Sequence, residues 1–266
     1  MNERLIIGQY YPANSVLHRL DPRVKFIGSF AYITMIFFAE SLLSWFFAAV
    51  YLFAMVIISK VPVRLMLKGL KSILFILIFT CILNIFFAPG ETVVFEFYFI
   101  KITLEGLLLF AKMAARLVLL IISSSILTLT TTPLALTDAL EFFLRPFAKI
   151  GLPAQEIAMM MTIALRFIPT LMEETEKIMK AQKARGADFE TGGLVRRAKA
   201  LVPILVPLFI SSFKRAEDLA MAMEARCYRT DIKRSKMKEL KFQRADYSAL
   251  VCVTGFIAGL IIFRYF

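Results

Sequence analysis

The 266-residue chain is 59% hydrophobic, has 26 Phe and carries a net charge of +12. That hydrophobicity excludes an ordinary soluble domain and points to a membrane protein with several spans. A single histidine, His18, excludes a His-based metal site, and three dispersed cysteines, Cys81, Cys227 and Cys252, exclude a zinc cluster, a redox pair and a disulfide framework.

The first twenty residues are polar and do not read as a cleavable signal. Five apolar runs follow, near 24–40, 42–59, 72–88, 104–130 and 247–264, each long enough to approach the ~20 residues a span needs. Arg4, Arg19, Arg23 and Lys25 precede the first run, and Lys60, Arg64, Lys68 and Lys71 separate the second from the third. The opposite side has Glu40, Glu91, Glu96, Lys101 and Glu105. The positive-inside rule then places the N-terminus in the cytoplasm and the C-terminus outside. Basic residues that alternate with apolar runs in this way read as inside loops, not as a nucleic-acid footprint.

The expected organisation is a membrane domain over 1–130 with about four helices, a cytoplasmic helical domain over 131–246, and a final span over 247–266. The middle segment holds 20 of the 32 Lys and Arg, so it is the soluble part. Thr132-Pro133 opens a short amphipathic helix that Pro146 bounds. Pro153 opens a long helix that runs to Gly186, about 50 Å at about 1.5 Å per residue. Gly192-Gly193 break the chain, and a second long helix runs from about Leu194 to beyond Arg226. Pro169, Pro203 and Pro207 predict kinks. The fold class is all-α.

The two long helices share a stripe. Ile168, Met172, Thr175, Met179, Gln182 and Gly186 recur at helical spacing, and adding 41 to each number gives Phe209, Phe213, Ala216, Ala220, Met223 and Cys227. A hairpin packing on itself accounts for the stripe. It does not explain why each copy ends at an arginine: Ala184-Arg185-Gly186 in the first, Ala225-Arg226-Cys227 in the second. A guanidinium offers a planar fork for a carboxylate or for backbone carbonyls. Two like tips suit a partner with two like sockets.

Catalytic motifs are not evident: there is no Gly-rich phosphate loop, His-Glu metal pair or nucleophile elbow. Glu173, Glu174 and Glu176 read as helix-supporting charges, with Glu173 facing Lys177 and Glu176 facing Lys180. Lys112 and Arg116 lie one turn apart inside the fourth run. A charge at mid-membrane costs at least about 2.5 kcal/mol unless paired or snorkelling. The pair is either a contact along a substrate path or partner interface, or side chains reaching a headgroup layer or a neighbouring helix.

The stretches "GQYYPANSVLHRLDPRVKFI", "LTTTPLALTDALEFFLRPF", "ALRFIPTLMEETEKIMKAQKARGADF" and "AMEARCYR" together resemble the transmembrane coupling (T) component of energy-coupling factor transporters, the EcfT family. The resemblance covers nearly the whole chain. It implies a non-catalytic subunit of an ABC-type vitamin or micronutrient importer in the cell membrane. Two cytoplasmic ABC-type ATPases, which bind ATP and Mg, would dock on Ala184, Arg185 and Gly186 and on Ala225, Arg226 and Cys227. A substrate-binding membrane S component would receive the motion. The family carries Gly where Cys227 stands. No nucleic acid, and no cofactor on this chain itself, is implied. Two other readings compete: a self-contained secondary transporter predicts an inverted repeat within the spans, and a membrane scaffold for a basic, nucleic-acid- or lipid-binding module predicts salt-sensitive binding without an ATPase.

Overall fold

The computed structural model describes residues 10–87, 93–97, 100–189, 191, 193–229 and 242–265. Arg4, Glu91 and Gly192, named above, lie outside them. The described elements are α1 (Val16–Arg19), α2 (Pro22–Phe37), α3 (Leu42–Ser59), α4 (Val63–Phe87), β1 (Val93–Phe97), β2 (Ile100–Thr103), α5 (Leu104–Thr130), α6 (Pro133–Leu144), a 3-10 helix (Arg145–Ile150), α7 (Ala154–Ala184), α8 (Leu194–Ala225) and α9 (Arg244–Tyr265). The chain is an all-α membrane protein whose only described strands, β1 and β2, form one antiparallel hairpin.

All five apolar runs return as helices at the expected places. Among the described residues, three are long and apolar enough to cross a membrane: α3, α5 and residues 244–263 of α9. Helix α2 has 16 residues, about 24 Å at about 1.5 Å per residue. One expectation needs correction. Residues 60–71 were read as an inside loop, but only Lys60 to Pro62 are non-helical. Lys60 ends α3 in the left-handed region (φ 54°), and Leu65, Met66 and Leu70 then repeat at helical spacing, so the helix starts at Val63 in spite of its basic residues.

The chain divides into two compact units, Met1–Phe142 with Leu240–Phe266, and Phe143–Glu239. These bounds differ from the divisions at 130 and 246. Helix α6 explains part of the difference: its Thr137, Ala139 and Glu141 are buried, and the Arg23 guanidinium lies 4.3 Å from the centre of the Phe142 ring.

In the first unit, α9 closes on α2 and α3 through an aromatic stack. The Phe256 ring lies 4.2 Å from Tyr51 and 5.3 Å from Tyr32. The Tyr32 hydroxyl donates to the Ala48 carbonyl, so its polar end is satisfied where it is buried. Gly259 permits the approach: a Cβ there would fall 2.9 Å from the Phe47 ring. The second unit is the 3-10 helix, α7 and α8. Pro153 precedes the first residue of α7 and Gly193 that of α8. Both helices run continuously through Pro169, Pro203 and Pro207.

Candidate functional site: two equivalent helix tips

Helices α7 and α8 end in the same way. The Gly186 N–H donates to Lys183 O at 3.0 Å and the Ala187 N–H to Gln182 O at 3.0 Å. At the second tip, the Cys227 N–H donates to Glu224 O at 2.8 Å and the Tyr228 N–H to Met223 O at 2.9 Å. Each bond of the second set is the first displaced by 41. This pairing is the Schellman arrangement, which needs a left-handed residue just past the helix. Gly186 supplies it at φ 86° and Cys227 at φ 53°. Open space surrounds a Cβ built at Gly186. Cysteine thus fits the second tip sterically, and only its backbone is strained, by roughly 1–2 kcal/mol for a left-handed side-chain-bearing residue.

Arg185 and Arg226 are therefore the capping residues of two matched helix ends, with φ/ψ of −86°/6° and −94°/16°. Helix α8 ends there, not beyond Arg226. All six residues Ala184, Arg185, Gly186, Ala225, Arg226 and Cys227 are exposed. Neither guanidinium has a partner among the described residues. Each tip thus presents a planar, unpaired cation on a rigid helix end.

The stripe between the tips corrects the sequence reading. On α7, Ile168, Met172, Thr175 and Met179 are half-buried, but on α8 Phe209, Phe213, Ala216 and Ala220 are exposed. The face with reduced exposure on both helices lies one residue earlier over most of its length, Phe167, Leu171, Glu174 and Ile178 on α7 and Leu208, Ser212, Arg215 and Leu219 on α8, and meets the stripe again at Gln182 and Met223. These sets are again related by 41. A one-residue offset turns a helix by about 100°, and apolar periodicity could not resolve it because Phe209 and Phe213 are themselves apolar. Glu174 and Arg215, equivalent positions, meet across the helices at 2.6 Å. The Glu174 oxygen has no partner within hydrogen-bond geometry, so the contact is an ion pair and not a directed hydrogen bond. Gln182 donates to Pro203 O at 3.4 Å. Moving forward along α7 thus means moving backward along α8, and the tips point away from one another.

Lys112 and Arg116 are not brought to the tips. Lys112 is exposed on α5. The Arg116 guanidinium lies 5.4 Å from the centre of Phe37 and 5.5 Å from that of Trp45, a cation–π pocket at the turn between α2 and α3. Arg116 stands about 21 Å along α5 from Thr130, and Phe37 about 22 Å along α2 from Pro22, at about 1.5 Å per residue. Helix α5 is the longer of the two and continues past this turn, which places Arg116 at its level. Arg116 thus meets rings on neighbouring helices, while its Nε is buried without a hydrogen-bond partner.

A cleft of about 80 Å³ in the first unit is lined by apolar side chains with Lys25, Ser29, Ser123 and Thr130. Sites for small organic ligands measure about 300–1,000 Å³.

The family described as CbiQ, cobalt transport protein, matches residues 13–239. The "Energy-coupling factor transporter transmembrane protein EcfT" of Thermosediminibacter oceani is 51% identical over 262 residues, 98% of each chain. That of Clostridium kluyveri is 52% identical over 265 residues, 99% of this chain and 98% of its own. The Bacillus subtilis protein is 44% identical over 264 residues, 99% of this chain and 100% of its own.

The chain belongs to the EcfT family.

In this EcfT chain the stretch "LHRLDPRVK" forms a polar knot that its sequence did not reveal. The Asp21 carboxylate accepts from the Arg23 N–H at 2.8 Å and caps α2, with Pro22 favourable in the first turn. Lys25 Nζ donates to His18 O at 3.2 Å and to Thr130 O at 2.9 Å, which ties α2 to the end of α5. Asp246, 2% exposed, accepts from the Asp21 N–H and the Gln243 N–H, both at 2.7 Å, and ties on the start of α9. His18 Nε2–H donates to Tyr11 O at 3.0 Å, and its Nδ1 shares a hydrogen bond with the Ser15 hydroxyl at 2.7 Å. Burial, aided by the nearby Lys25 charge, pushes its imidazole below the ordinary value against the raising effect of the Tyr11 carbonyl. Asp246 and Glu174 gave no motif signal. They are charged residues in otherwise helical patterns, and only their partners distinguish them.

Proposed function

We propose that this chain is the coupling subunit of an ECF-type ABC importer. It links two cytoplasmic ABC-type ATPases, which bind and hydrolyse ATP with Mg, to a membrane S component that captures a vitamin or micronutrient. The chain itself is non-catalytic. Its N-terminus lies in the cytoplasm, five helices span the membrane and the C-terminus lies outside. Residues 131–246 face the ATPases. Ala184, Arg185 and Gly186 dock on one of them; Ala225, Arg226 and Cys227 dock on the other.

The observation that carries this reading is the likeness of the two tips: equivalent hydrogen bonds, a left-handed residue at the same position (Gly186, Cys227) and an exposed arginine just before it, 41 residues apart. Two matched cations at outward ends suit two copies of one socket on a symmetric ATPase pair. Closure of that pair on ATP would move the sockets and drive the arms, with Pro169 and Pro207 as candidate flex points. The relatives' name, transmembrane protein of an energy-coupling factor transporter, supports the assignment.

The test is Arg185→Glu, Arg226→Glu and the double variant, purified from membranes that contain the ATPases. Loss of one charge-assisted contact costs about 1.5–3 kcal/mol, roughly 10- to 150-fold in affinity. The single variants retain part of the ATPase, and the double variant, which also forfeits avidity, recovers little of it. Lysine restores only part, because an ammonium lacks the fork. Wild-type recovery of both ATPases by the double variant refutes the docking role.

A further inference from the structure

We infer that the Glu174–Arg215 ion pair sets the register at which α7 and α8 cross, and so fixes the spacing of the two arginine tips. Two observations converge on it. First, the two residues are equivalents under the 41-residue repeat, and they touch. In an arrangement of two equivalent helices, a position meets its own equivalent only near the axis that relates them, so this contact marks the centre of the crossing. Being equivalents, the two residues are also equidistant from the tips. Arg185 follows Glu174 by 11 residues (185 − 174) and Arg226 follows Arg215 by 11 (226 − 215), about 16 Å of helix on each side. Second, among the described residues it is the one charged layer in the shared face, whose other positions are Phe167, Leu171, Ile178 and Gln182 and their neutral equivalents on α8.

An uncharged face is permissive. Apolar side chains slide past one another by a turn with little change in buried area, as in coiled coils whose register is undetermined. A single ionic layer removes that freedom, because a slip of one turn leaves two opposite charges facing neutral side chains. Such pairs specify arrangement more than they stabilise. Here both side chains are part-exposed, at 34% for Arg215 and 22% for Glu174. The Glu174 oxygen that meets Arg215 is itself buried, so the pair is shielded from water where the charges touch. The functional consequence, matched reach toward two ATPases, rests on the proposal above. The register itself does not.

The test uses the full chain alone in lipid nanodiscs, without ATPases. Cys81, Cys227 and Cys252 are replaced, spin labels are attached to cysteines at Ala184 and Ala225, and the distance distribution between them is measured. The pair-intact chain gives one narrow distance. Glu174→Gln and Arg215→Gln each broaden it or add a population displaced by about 5 Å, one helical turn. The charge swap, Glu174→Arg with Arg215→Glu, restores the single narrow distance. Unchanged distributions in both single variants overturn the inference. So do broadened singles that the swap does not narrow, because the change then arises from altered helix packing and not from the pair. A failure of the coupling role appears separately, as normal ATPase recovery by the tip variants, and leaves this distance measurement intact.

Discussion

Replacing Asp246 tests whether the polar knot holds the first unit together. Its carboxylate accepts two backbone N–H groups at 2.7 Å, from Asp21 and Gln243, and at 2% exposure no water can take its place. Hydrogen bonds to a charged group contribute about 1.5–3 kcal/mol each. Asp246→Ala removes both and leaves the Asp21 N–H buried without an acceptor, for a local cost of about 3–6 kcal/mol. Asp246→Asn keeps one acceptor oxygen but turns an amide donor toward the other N–H, and costs about half as much. The Asp21 amide reports the change directly, since its partner lies 225 residues away in sequence. By hydrogen exchange in nanodiscs, Asp246→Ala accelerates that amide by about two to four decades, at 1.4 kcal/mol per decade, up to the limit set by global opening. Asp246→Asn accelerates it by about one to two. Wild-type protection in the Ala variant would refute the knot as the tie between α2 and α9, and equal effects of Ala and Asn would refute the two-bond account.

Other predictions follow from the same geometry. Phe256→Ala empties the stack between Tyr32 and Tyr51 and destabilises the first unit by about 3–5 kcal/mol, measured by thermal unfolding in detergent; a loss under 1 kcal/mol would mean that α9 is not held there. Cys227→Gly relieves the left-handed strain at the second tip by up to about 1 kcal/mol, whereas Gly186→Val, β-branched at φ 86°, frays the first; amide exchange at Tyr228 and Ala187 distinguishes them. His18 has its folded pKa lowered by burial, so its contribution is fully present above the unfolded value near 6.5 and is lost as pH falls through the lower folded value. Protection of the Tyr11 amide, bonded to Leu129 O at 2.9 Å, therefore declines on acidification below about pH 6.5, and less so in a His18→Asn variant. With Cys81 and Cys252 replaced, the exposed Cys227 resists an impermeant thiol reagent in intact cells and reacts once they are permeabilised; labelling in intact cells would reverse the proposed orientation.

Much of this protein is legible in its sequence because the signals are local. Helix α5 runs from Leu104 to Thr130 as the long, largely apolar run requires, and Pro153 and Gly193 stand just before the two long arms. The 41-residue repeat is also visible, since equal spacing of side chains needs no coordinates. Tertiary structure decided what spacing leaves open. Periodicity locates an apolar stripe but cannot say which of two adjacent stripes faces a partner. Phe209 and Phe213 satisfied the pattern and proved exposed, while Arg215, which breaks it, lies in the shared face. Asp246 carries no local signature either, because its role depends on an N–H brought to it from the other end of the chain. Spacing leaves Arg116 open between a path or partner contact and a headgroup or neighbouring-helix contact, and the fold sets it beside the Phe37 and Trp45 rings. A sequence fixes which groups carry charge or bury area, but the cost of a charge depends on what surrounds it, and only the folded chain assembles that surrounding from distant residues.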